Sequence, residues 1–296
     1  MTDNEFLLQD RITKIQSVMK QYGQENFCIS FSGGKDSCVL SALVDLAIPN
    51  NKIPRVYADT GIDWNMIREF VYEKQKHDDR IYIIKPSIPI KQMLESEGYP
   101  FKSKNHSAVL RMYRSNPDSK TVIKYRDQVY DFHGNQCPKK LRYQFSPDFN
   151  IKVSDRCCKR LKEEPLDDWQ KEHGFLYTMI GLMREEGGRR ESAKCLAFRN
   201  GKLRAFQPLT VVTKNWENWF IEEYDVDICD IYKEPYNFTR TGCKGCPFNP
   251  HLQKDLDIIA KFFPREREQC EIIWKPVYDE YRRLGYRLKG DVKHDD

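Results

Sequence analysis

Residues 32–37, with the sequence Ser-Gly-Gly-Lys-Asp-Ser, have the types and spacing of a turn that binds a phosphate group. The apolar run 27–31 before them predicts a buried strand, and the apolar residues after them recur at the spacing of one helix face. Unpaired N–H groups and the positive dipole end at the start of such a helix attract anions. The two glycines permit close approach of the backbone, and the hydroxyls and the lysine add hydrogen-bond donors and charge. We predict that a phosphate ligand contacts the following residues: Ser30, Phe31, Ser32, Gly33, Gly34, Lys35, Asp36 and Ser37.

Strand and helix patterns alternate on both sides of this turn. The further predicted elements are a strand at 55–59, a helix at 64–76 and strands at 81–84 and 175–180. This alternation predicts an α/β fold with a mostly parallel, twisted sheet and helices on both faces. Ligands of such sheets bind beyond the carboxyl ends of the strands, so Asp59, Thr60 and Gly61 are predicted to contact the ligand as well.

The remaining segments predict the domain organisation. Residues 5–21 form a predicted lead helix, residues 204–209 a short edge strand, and residues 216–224 another helix. Residues 100–150 interrupt the alternation with short, turn-rich segments and are interpreted as a basic insertion, and the chain from 251 onward is mostly helical. We therefore divide the chain into 1–99, the first half of the α/β domain; 100–150, the insertion; 151–250, the rest of that domain with the grouped cysteines; and 251–296, a helical region.

Composition limits the class of protein. Hydrophobic residues make up 40% and charged residues 31% of the 296-residue chain, which is typical of a soluble globular protein. No apolar run approaches the length needed to cross a bilayer, so no membrane association is expected. The first residues are acidic and polar, unlike a signal sequence, so the predicted location is the cytoplasm.

Four of the ten cysteines group into two pairs, which suggests ligation rather than disulfides in a reducing compartment. Cys157 and Cys158 are adjacent, and Cys243 and Cys246 form a Cys-x-x-Cys motif. Sulfur ligands favour zinc or an iron–sulfur cluster. Adjacent cysteines suit a tetrahedral zinc ion poorly, whereas a 4Fe-4S cube can accept both, so we favour the cluster over zinc. Two buried thiol pairs are the third interpretation.

A basic stretch runs from residue 100 to residue 145. It holds ten lysines and arginines against three aspartates, with interleaved aromatic residues that could stack on bases. This pattern favours contact with DNA or RNA, and a solvated surface or a surface around a small anionic substrate is the alternative. The aromatic residues are Tyr113, Tyr125, Tyr130, Phe132 and Tyr143.

Residues 32–37 resemble the PP-loop of the ATP pyrophosphatase superfamily, whose members cleave ATP between the α and β phosphates and transfer AMP. The two cysteine pairs are similar to the cluster-binding pattern of adenylylsulfate reductases, within the phosphoadenosine phosphosulfate (PAPS) reductase family of that superfamily. Residues 57–61 resemble the family's Asp-Thr-Gly strand end. The resemblance implies an adenine nucleotide alpha hydrolase-like fold, an adenine nucleotide ligand and a 4Fe-4S cluster on the four cysteines.

A fourth stretch, starting at Gly181, looks like the family's Gly-Leu-Arg-Arg-Glu loop, whose arginines hold the anionic part of the nucleotide. Met183 replaces the first arginine, so only Arg184 is carried over directly, and Arg189 and Arg190 are proposed as nearby substitutes. Planar guanidinium groups bind phosphate or sulfate in bidentate fashion. Pairing of these arginines with neighbouring glutamates is the alternative. The predicted catalytic residues are Lys35, Asp36, Ser37 and Arg184, and Gly181, Arg189 and Arg190 join the nucleotide contacts.

Two departures from the reductases bear on the reaction. The phosphate loop keeps its lysine and is intact, which fits ATP, and the tail 290–296 lacks the nucleophilic cysteine of the reductases. Cys270, the last cysteine, lies in a helical and acidic context that raises a thiol pKa. These features resemble ATP pyrophosphatases that put sulfur into nucleic acid, such as the cluster-containing component of DNA phosphorothioation systems.

That resemblance implies a reaction with Mg2+ and ATP in which AMP and pyrophosphate are produced and a substrate oxygen is activated. A sulfur donor, such as a cysteine desulfurase, would then displace AMP, as in DNA phosphorothioation or RNA thiolation. The cluster would have a structural or electrostatic role. The alternatives are a PAPS or adenylylsulfate reductase that produces sulfite, and a nucleotide-binding regulatory module without turnover. The sulfur acceptor, the sulfur donor and the oligomeric state stay open.

Overall fold

The computed structural model describes residues 1–127, 136–187 and 190–289. It contains two compact units, each built from stretches that are separate in the sequence. The first unit comprises residues 1–59, 63–86 and 164–241, and the second comprises the described residues of 60–62, 87–163 and 242–289. The four predicted sequence segments stay a prediction.

Helices and strands alternate over residues 3–84 of the first unit, the last three strands follow one another later in that unit, and the second unit is largely helical. The strands are β1 (Phe27–Ser30), β2 (Arg55–Ala58), β3 (Ile81–Ile84), β4 (Tyr177–Met179), β5 (Leu196–Arg199) and β6 (Lys202–Phe206). The helices are α1 (Asp3–Tyr22), α2 (Lys35–Ala47), α3 (Asn65–His77), α4 (Ile90–Glu97), α5 (Lys104–Ser115), α6 (Lys120–Asp127), α7 (Glu164–His173), α8 (Lys214–Glu223), α9 (Leu252–Phe262) and α10 (Pro264–Leu284).

All six strands form one sheet in the first unit, in the order β3-β2-β1-β4-β6-β5. Every neighbouring pair is parallel except β5 and β6, which are antiparallel. In the register, Ile29 of β1 lies opposite Arg55 on one side and Met179 on the other. The predicted α/β fold with a mostly parallel sheet is therefore confirmed.

Both faces of β1 are buried, as expected for a central parallel strand. Phe27 and Ile29 belong to a core that α1, α2 and α8 cover, where Trp216 and Phe220 are buried. Cys28 points to the opposite face and packs in a smaller cluster with Trp169 of α7. Burial on both faces fixes the carboxyl end of β1, from which the phosphate loop starts.

The β5–β6 hairpin was not predicted, although its turn carries a strong signal. Asn200 and Gly201 join the two strands with φ values of +52° and +74°. An Asn-Gly pair with both φ values positive is typical of a two-residue hairpin turn. The predicted edge strand at 204–209 was placed too late, because the observed strand β6 starts at Lys202.

The second unit corrects the prediction that residues 100–150 consist of short, turn-rich segments. Helices α5 and α6 lie in this range, and the hydroxyl of Ser103 caps α5 by accepting the N–H of His106. The imidazole of His106 is fully buried, where its nitrogens bond to Tyr125 Oη (2.9 Å) and Gln144 Oε1 (2.7 Å). Burial lowers the pKa of His106 to about 4, so the neutral ring forms part of a packed core.

Within the described ranges, every helix is too short or too polar to cross a lipid bilayer.

Candidate nucleotide-binding site

The predicted phosphate loop connects β1 to α2, and its shape depends on glycine. Gly33 has a φ of +67°, and a Cβ atom there would lie 2.6 Å from Val71 Cγ2 and 2.9 Å from Ile67 Cγ2. Gly34 is the extended residue that precedes the first turn of α2. A side chain at position 33 would therefore meet both backbone strain and a clash with α3.

Two serine hydroxyls hold the loop closed. Ser37 Oγ donates to the carbonyl of Gly34 at 2.7 Å, and Ser32 N–H donates to Ser37 Oγ at 3.2 Å. The N–H of Gly34 in turn donates to Ser32 Oγ at 3.3 Å. These bonds place loop N–H groups and hydroxyls together at the N-terminus of α2, where the helix dipole is positive.

A cavity of about 190 Å³ opens at this turn. Its size suits the phosphate groups of a nucleotide, since pockets that hold a whole small ligand usually start at about 300 Å³. Four basic side chains line it together with two carboxylates, so its charge favours anions. The basic residues are Lys35, Arg190, Lys214 and Arg240, and the carboxylates are Asp36 and Glu186.

Gly181, predicted as a nucleotide contact, lies at this cavity and packs against the start of α2. A Cβ atom on it would stand 2.7 Å from the carbonyl oxygen of Asp36 and 3.0 Å from the carbonyl carbon. Glycine is therefore needed here for the close approach of two backbones.

Tyr232 and residues 239–241 also line the cavity, and they were not predicted from the sequence because they form no motif. The hydroxyl of Tyr232 accepts the backbone N–H of Lys35 and bonds to Thr241 Oγ1. Burial raises the pKa of Tyr232 well above its usual value. Arg240, between two threonines, is the feature of this stretch that could have indicated an anion contact.

Lys35 has two partners on α8 that the sequence also did not reveal. Its Nζ lies 3.2 Å from Glu217 Oε2 and 3.1 Å from Asn218 Oδ1. Glu217 is fully buried, and burial raises the pKa of its carboxyl to about 7, with Asp36 raising it further and Lys35 opposing the shift. The helix at 216–224 was predicted from its aromatic residues, and Glu217 was not among the predicted site residues.

The arginines of the turn that starts at Gly181 differ in whether they line the cavity. Arg190 pairs with Glu186, whose other oxygen lies 3.7 Å from Arg240 Nε, and burial together with Arg240 lowers the pKa of Arg190. Arg184, predicted as catalytic, is exposed, and its Nε donates to the carbonyl of Ala193 at 2.7 Å. It does not line the cavity among the residues that the structure describes. Arg189 lies outside the described residues.

Asp59 directly follows β2, whose carboxyl end lies at the same edge of the sheet as that of β1, where the phosphate loop starts. Its buried carboxylate is held by Arg68, with both Nε and a terminal nitrogen at 3.0 Å, and by Tyr72 Oη at 3.0 Å. Thr60 and Gly61 belong to the second unit, where Thr60 Oγ1 accepts the N–H of Ile62 at 3.3 Å and Gly61 has a φ of +76°. Asp59 is thus oriented by α3.

Comparison with known families decides the classification. The sequence model of the phosphoadenosine phosphosulfate reductase domain matches residues 26–136 and 135–249. The chain belongs to this family. The predicted family is therefore confirmed, and the matched range contains the phosphate loop, Asp59, the arginine turn and all four grouped cysteines.

Several solved structures are similar to this family member. They include the PAPS reductase of Candida auris in a phosphate complex, at 12% identity and a TM-score of 0.43, over 79% of this chain and 95% of that chain. FMN adenylyltransferase of Candida glabrata with FMN and the ATP analog AMPCPP matches at 14% identity and a TM-score of 0.47, over 82% and 66% of the two chains. Yeast FAD synthetase with FAD matches at 14% identity and a TM-score of 0.45, over 95% and 86%. Comparison with curated protein sequences finds no match.

The four grouped cysteines of this PAPS reductase family member all lie in the second unit. A hydrogen bond with Cys158 and burial raise the pKa of Cys157, and the nearby thiols of Cys246 and Cys243 raise it further. The pKa of Cys158 is lowered to about 6 by the bond with Cys157 and by two lysines, Lys104 and Lys162. The thiols of these cysteines therefore influence the pKa of Cys157 and Cys158.

Metal binding by these four cysteines stays a prediction. Among the described residues, no three histidine, cysteine, aspartate or glutamate side chains come together as a metal-ion site. A tetrahedral zinc ion needs its sulfur ligands at about 2.3 Å, whereas the irons of a 4Fe-4S cube are spread over a larger volume. The preference for a cluster over zinc therefore rests on the cysteine pattern in the sequence.

Side chains of helix α10 bond to the backbone of the Cys-x-x-Cys loop. Gly245 has a φ of +62°, and its carbonyl accepts a hydrogen bond from Tyr278 Oη. The carbonyl of Lys244 accepts one from Trp274 Nε1 at 3.0 Å. Lys244 Nζ, also buried, pairs with Glu266 Oε2 at 2.8 Å. These partners fix the backbone that carries Cys243 and Cys246.

The structure corrects the idea that the aromatic residues of the basic stretch are free to stack on bases. Tyr125 is buried against His106, Tyr113 packs edge-on against Phe145, and Tyr143 donates its hydroxyl to Glu280. Tyr130 and Phe132 lie outside the described residues. Six basic residues of the stretch are exposed, alongside the acidic Asp118 and Asp127: Lys104, Arg114, Lys120, Lys124, Lys139 and Lys140.

Proposed function

We propose that the chain is a PAPS reductase family ATP pyrophosphatase, which cleaves ATP between the α and β phosphates to AMP and pyrophosphate. The observation that carries this proposal is the intact phosphate loop, which presents Lys35 in a cavity with three further basic side chains. A cavity of this charge and size suits a polyphosphate.

Cleavage between the α and β phosphates requires stabilisation of the negative charge that develops on the leaving pyrophosphate. The N-terminus of α2, Lys35 and Arg190 meet at the cavity, and such preorganised positive groups are most effective where charge develops in the transition state. Ser32 and Ser37 would exchange their loop hydrogen bonds for phosphate oxygens. Asp36, which lines the cavity, would help to hold a Mg2+ ion bound with the nucleotide, and the ion would neutralise part of the phosphate charge.

Cys270 is poorly suited to reductase chemistry. A nucleophilic thiolate needs a lowered pKa and some exposure. Cys270 is fully buried in α10, and burial raises the pKa of its thiol to about 12. This supports ATP cleavage over the sulfite-producing alternative.

We further propose that Cys157, Cys158, Cys243 and Cys246 hold a 4Fe-4S cluster in the second unit. Four thiolates leave no open iron, so the cluster would supply architecture and local charge rather than a reacting atom. Anaerobically purified protein is then brown and contains iron and sulfide. Colourless protein with stoichiometric zinc would contradict the proposal.

The proposed acceptor of AMP is nucleic acid, either DNA or RNA, held by the exposed basic residues of 100–145. An acceptor oxygen would attack the α phosphorus as pyrophosphate leaves, and sulfur from a donor such as a cysteine desulfurase would then displace AMP. The exposed lysines and Arg114 support this choice, because phosphate contacts dominate affinity for nucleic acid.

A product assay tests the proposed reaction. Anaerobic protein is incubated with Mg2+, ATP and DNA or RNA oligonucleotides, and nucleotides and phosphates are separated by chromatography. We expect AMP and pyrophosphate in equal amounts. ADP and orthophosphate, or no turnover with any nucleic acid, would refute the proposal. Thioredoxin-dependent sulfite release from a sulfonucleotide would favour the reductase instead.

A further inference from the structure

The ammonium group of Lys35 is anchored from α8. Two of its contacts are Glu217 Oε2 at 3.2 Å and Asn218 Oδ1 at 3.1 Å. An ammonium group has three donors and no acceptor. The hydrogen bond to Asn218 and the ion pair with Glu217 hold the ammonium group on the side of α8, and donor capacity remains for a ligand in the cavity that Lys35 lines.

Helix α8 is a rigid support for this anchor. Its N-cap Thr213 accepts the N–H of Trp216, and the indole of Trp216 donates to the carbonyl of Asn4 at 3.0 Å. Trp216 also stacks on Phe220 within the core. Glu217 follows Trp216 directly and is fully buried, so its carboxylate cannot turn to solvent.

We propose that Glu217 is a positioning residue for Lys35: with Asn218 it holds the ammonium group so that one N–H faces a phosphate oxygen of the ligand. This inference rests on the proposed function, since it takes the ligand of the cavity to be a phosphate chain. Glu217 touches neither the ligand nor the reacting atoms and acts through Lys35.

The same contacts make Glu217 sensitive to the ligand. Its buried carboxylate lies 3.2 Å from Lys35 Nζ, and burial together with the nearby Asp36 favours the protonated form. The ionisable groups that face Glu217 are Asp36 and Lys35, and Arg190 and Tyr232 act on Asp36 in turn. A phosphate anion beside Lys35 adds negative charge, so Glu217 takes up a proton when the anion binds.

Calorimetry with inorganic pyrophosphate tests this without turnover. Binding is measured at pH 7 in two buffers of different ionisation enthalpy, for the wild type, Glu217→Gln and the control Glu222→Gln, an exposed position on the same helix. Pyrophosphate changes its own protonation equally with each protein. We expect the wild type and E222Q to take up roughly half a proton more than E217Q. Equal uptake by wild type and E217Q overturns the proposal.

Kinetics separates this inference from the proposed function. If the wild type forms AMP and pyrophosphate, E217Q should lower kcat about tenfold with a smaller change in KM, because a misplaced Lys35 loses transition-state contacts. A wild-type kcat in folded E217Q overturns the proposal. If no protein cleaves ATP, the proposed function fails, and the calorimetric difference still decides the role of Glu217. Should E217Q not fold, Asn218→Ala is measured, and unchanged kcat there overturns the anchor.

Discussion

At the scale of single residues, Gly33 and Lys35 serve the same turn in different ways. Gly33 allows the loop to pass close to α3, and Lys35 supplies the charge that the loop presents to its ligand. The first role depends on the absence of a side chain, and the second depends on a side chain held by Glu217. Both residues thus shape the anion site at the N-terminus of α2.

Replacing Gly33 by alanine should destabilise the protein through a clash. Gly174→Ala is the matched control, because Gly174 also has a positive φ, +77°, but has no atom within 4 Å of the added Cβ. Backbone strain is common to both variants, so the difference reports contact with Val71 and Ile67. We expect Gly33→Ala to lose about 1–3 kcal/mol more than the control in denaturant unfolding. Equal losses would show that α3 moves away freely.

The buried carboxyl of Glu217 predicts a pH dependence of stability. Its folded pKa is raised to about 7 from an ordinary value of 4.5, so the folded state binds more protons than the unfolded state between these values. Stability contributed by this group is therefore lost as pH rises from about 4.5 to about 7. The melting temperature of Glu217→Gln relative to wild type should rise across this window. A constant difference in melting temperature would contradict it.

At the scale of elements, local patterns predicted most of the first unit. The apolar runs at 27–31, 55–59 and 81–84 became β1, β2 and β3, because buried parallel strands consist of such runs. The β5–β6 hairpin was missed although Asn200 and Gly201 signal its turn. Helices α5 and α6 were missed because polar residues separate their short apolar groups, whose burial depends on partners distant in sequence, such as Gln144.

The phosphate loop could be predicted, but its surroundings could not. A strand-to-helix turn is a local feature that six adjacent residues specify. The fold brings three residues that are distant in sequence to Lys35 or to the cavity beside it, namely Glu217, Tyr232 and Arg240. No spacing in the sequence connects them with Lys35. Arg184 shows the reverse case, since its motif position was recognised while the structure places its side chain away from the cavity lining.

Helix α10 predicts a test of the cysteine loop. Tyr278→Phe removes the hydroxyl that bonds to the buried carbonyl of Gly245. An unsatisfied buried carbonyl costs about 1–3 kcal/mol, so unfolding free energy and iron retained per chain after anaerobic gel filtration should both fall. Tyr82→Phe, at an exposed tyrosine of β3, is the control. If Tyr278→Phe retained as much iron as the wild type, the bond from α10 would not be needed to hold the cluster.

At the scale of the whole molecule, the chain divides into a unit with the nucleotide cavity and a unit with the cysteines and the basic stretch. This division was not predicted from the sequence, because each unit is built from several stretches that are separate along the chain. The proposed ATP cleavage belongs to the first unit, and the proposed cluster and nucleic-acid contacts belong to the second. Substitutions in one unit therefore test one proposal at a time.

The exposed basic residues of the second unit should bind nucleic acid mainly through phosphates. Changing Lys120, Lys124, Lys139 and Lys140 to glutamine should weaken binding of oligonucleotides and reduce the slope of log affinity against log salt by about 3, whatever the sequence. Glutamine at four exposed lysines of the first unit is the control, namely Lys20, Lys52, Lys76 and Lys202. An equal effect in both variants would point to non-specific attraction.

The position of the bond cleaved in ATP tests the central claim most directly. Anaerobic protein with Mg2+ and the nucleic acid that supports turnover is given ATP labelled at the α phosphorus or, separately, at the γ phosphorus. We predict that the α label appears in AMP or on the acceptor and that the γ label appears in pyrophosphate. Lys35→Ala should reduce both rates by about a hundredfold or more, with Lys20→Ala unchanged. An α label in ADP together with a γ label in orthophosphate would contradict the account.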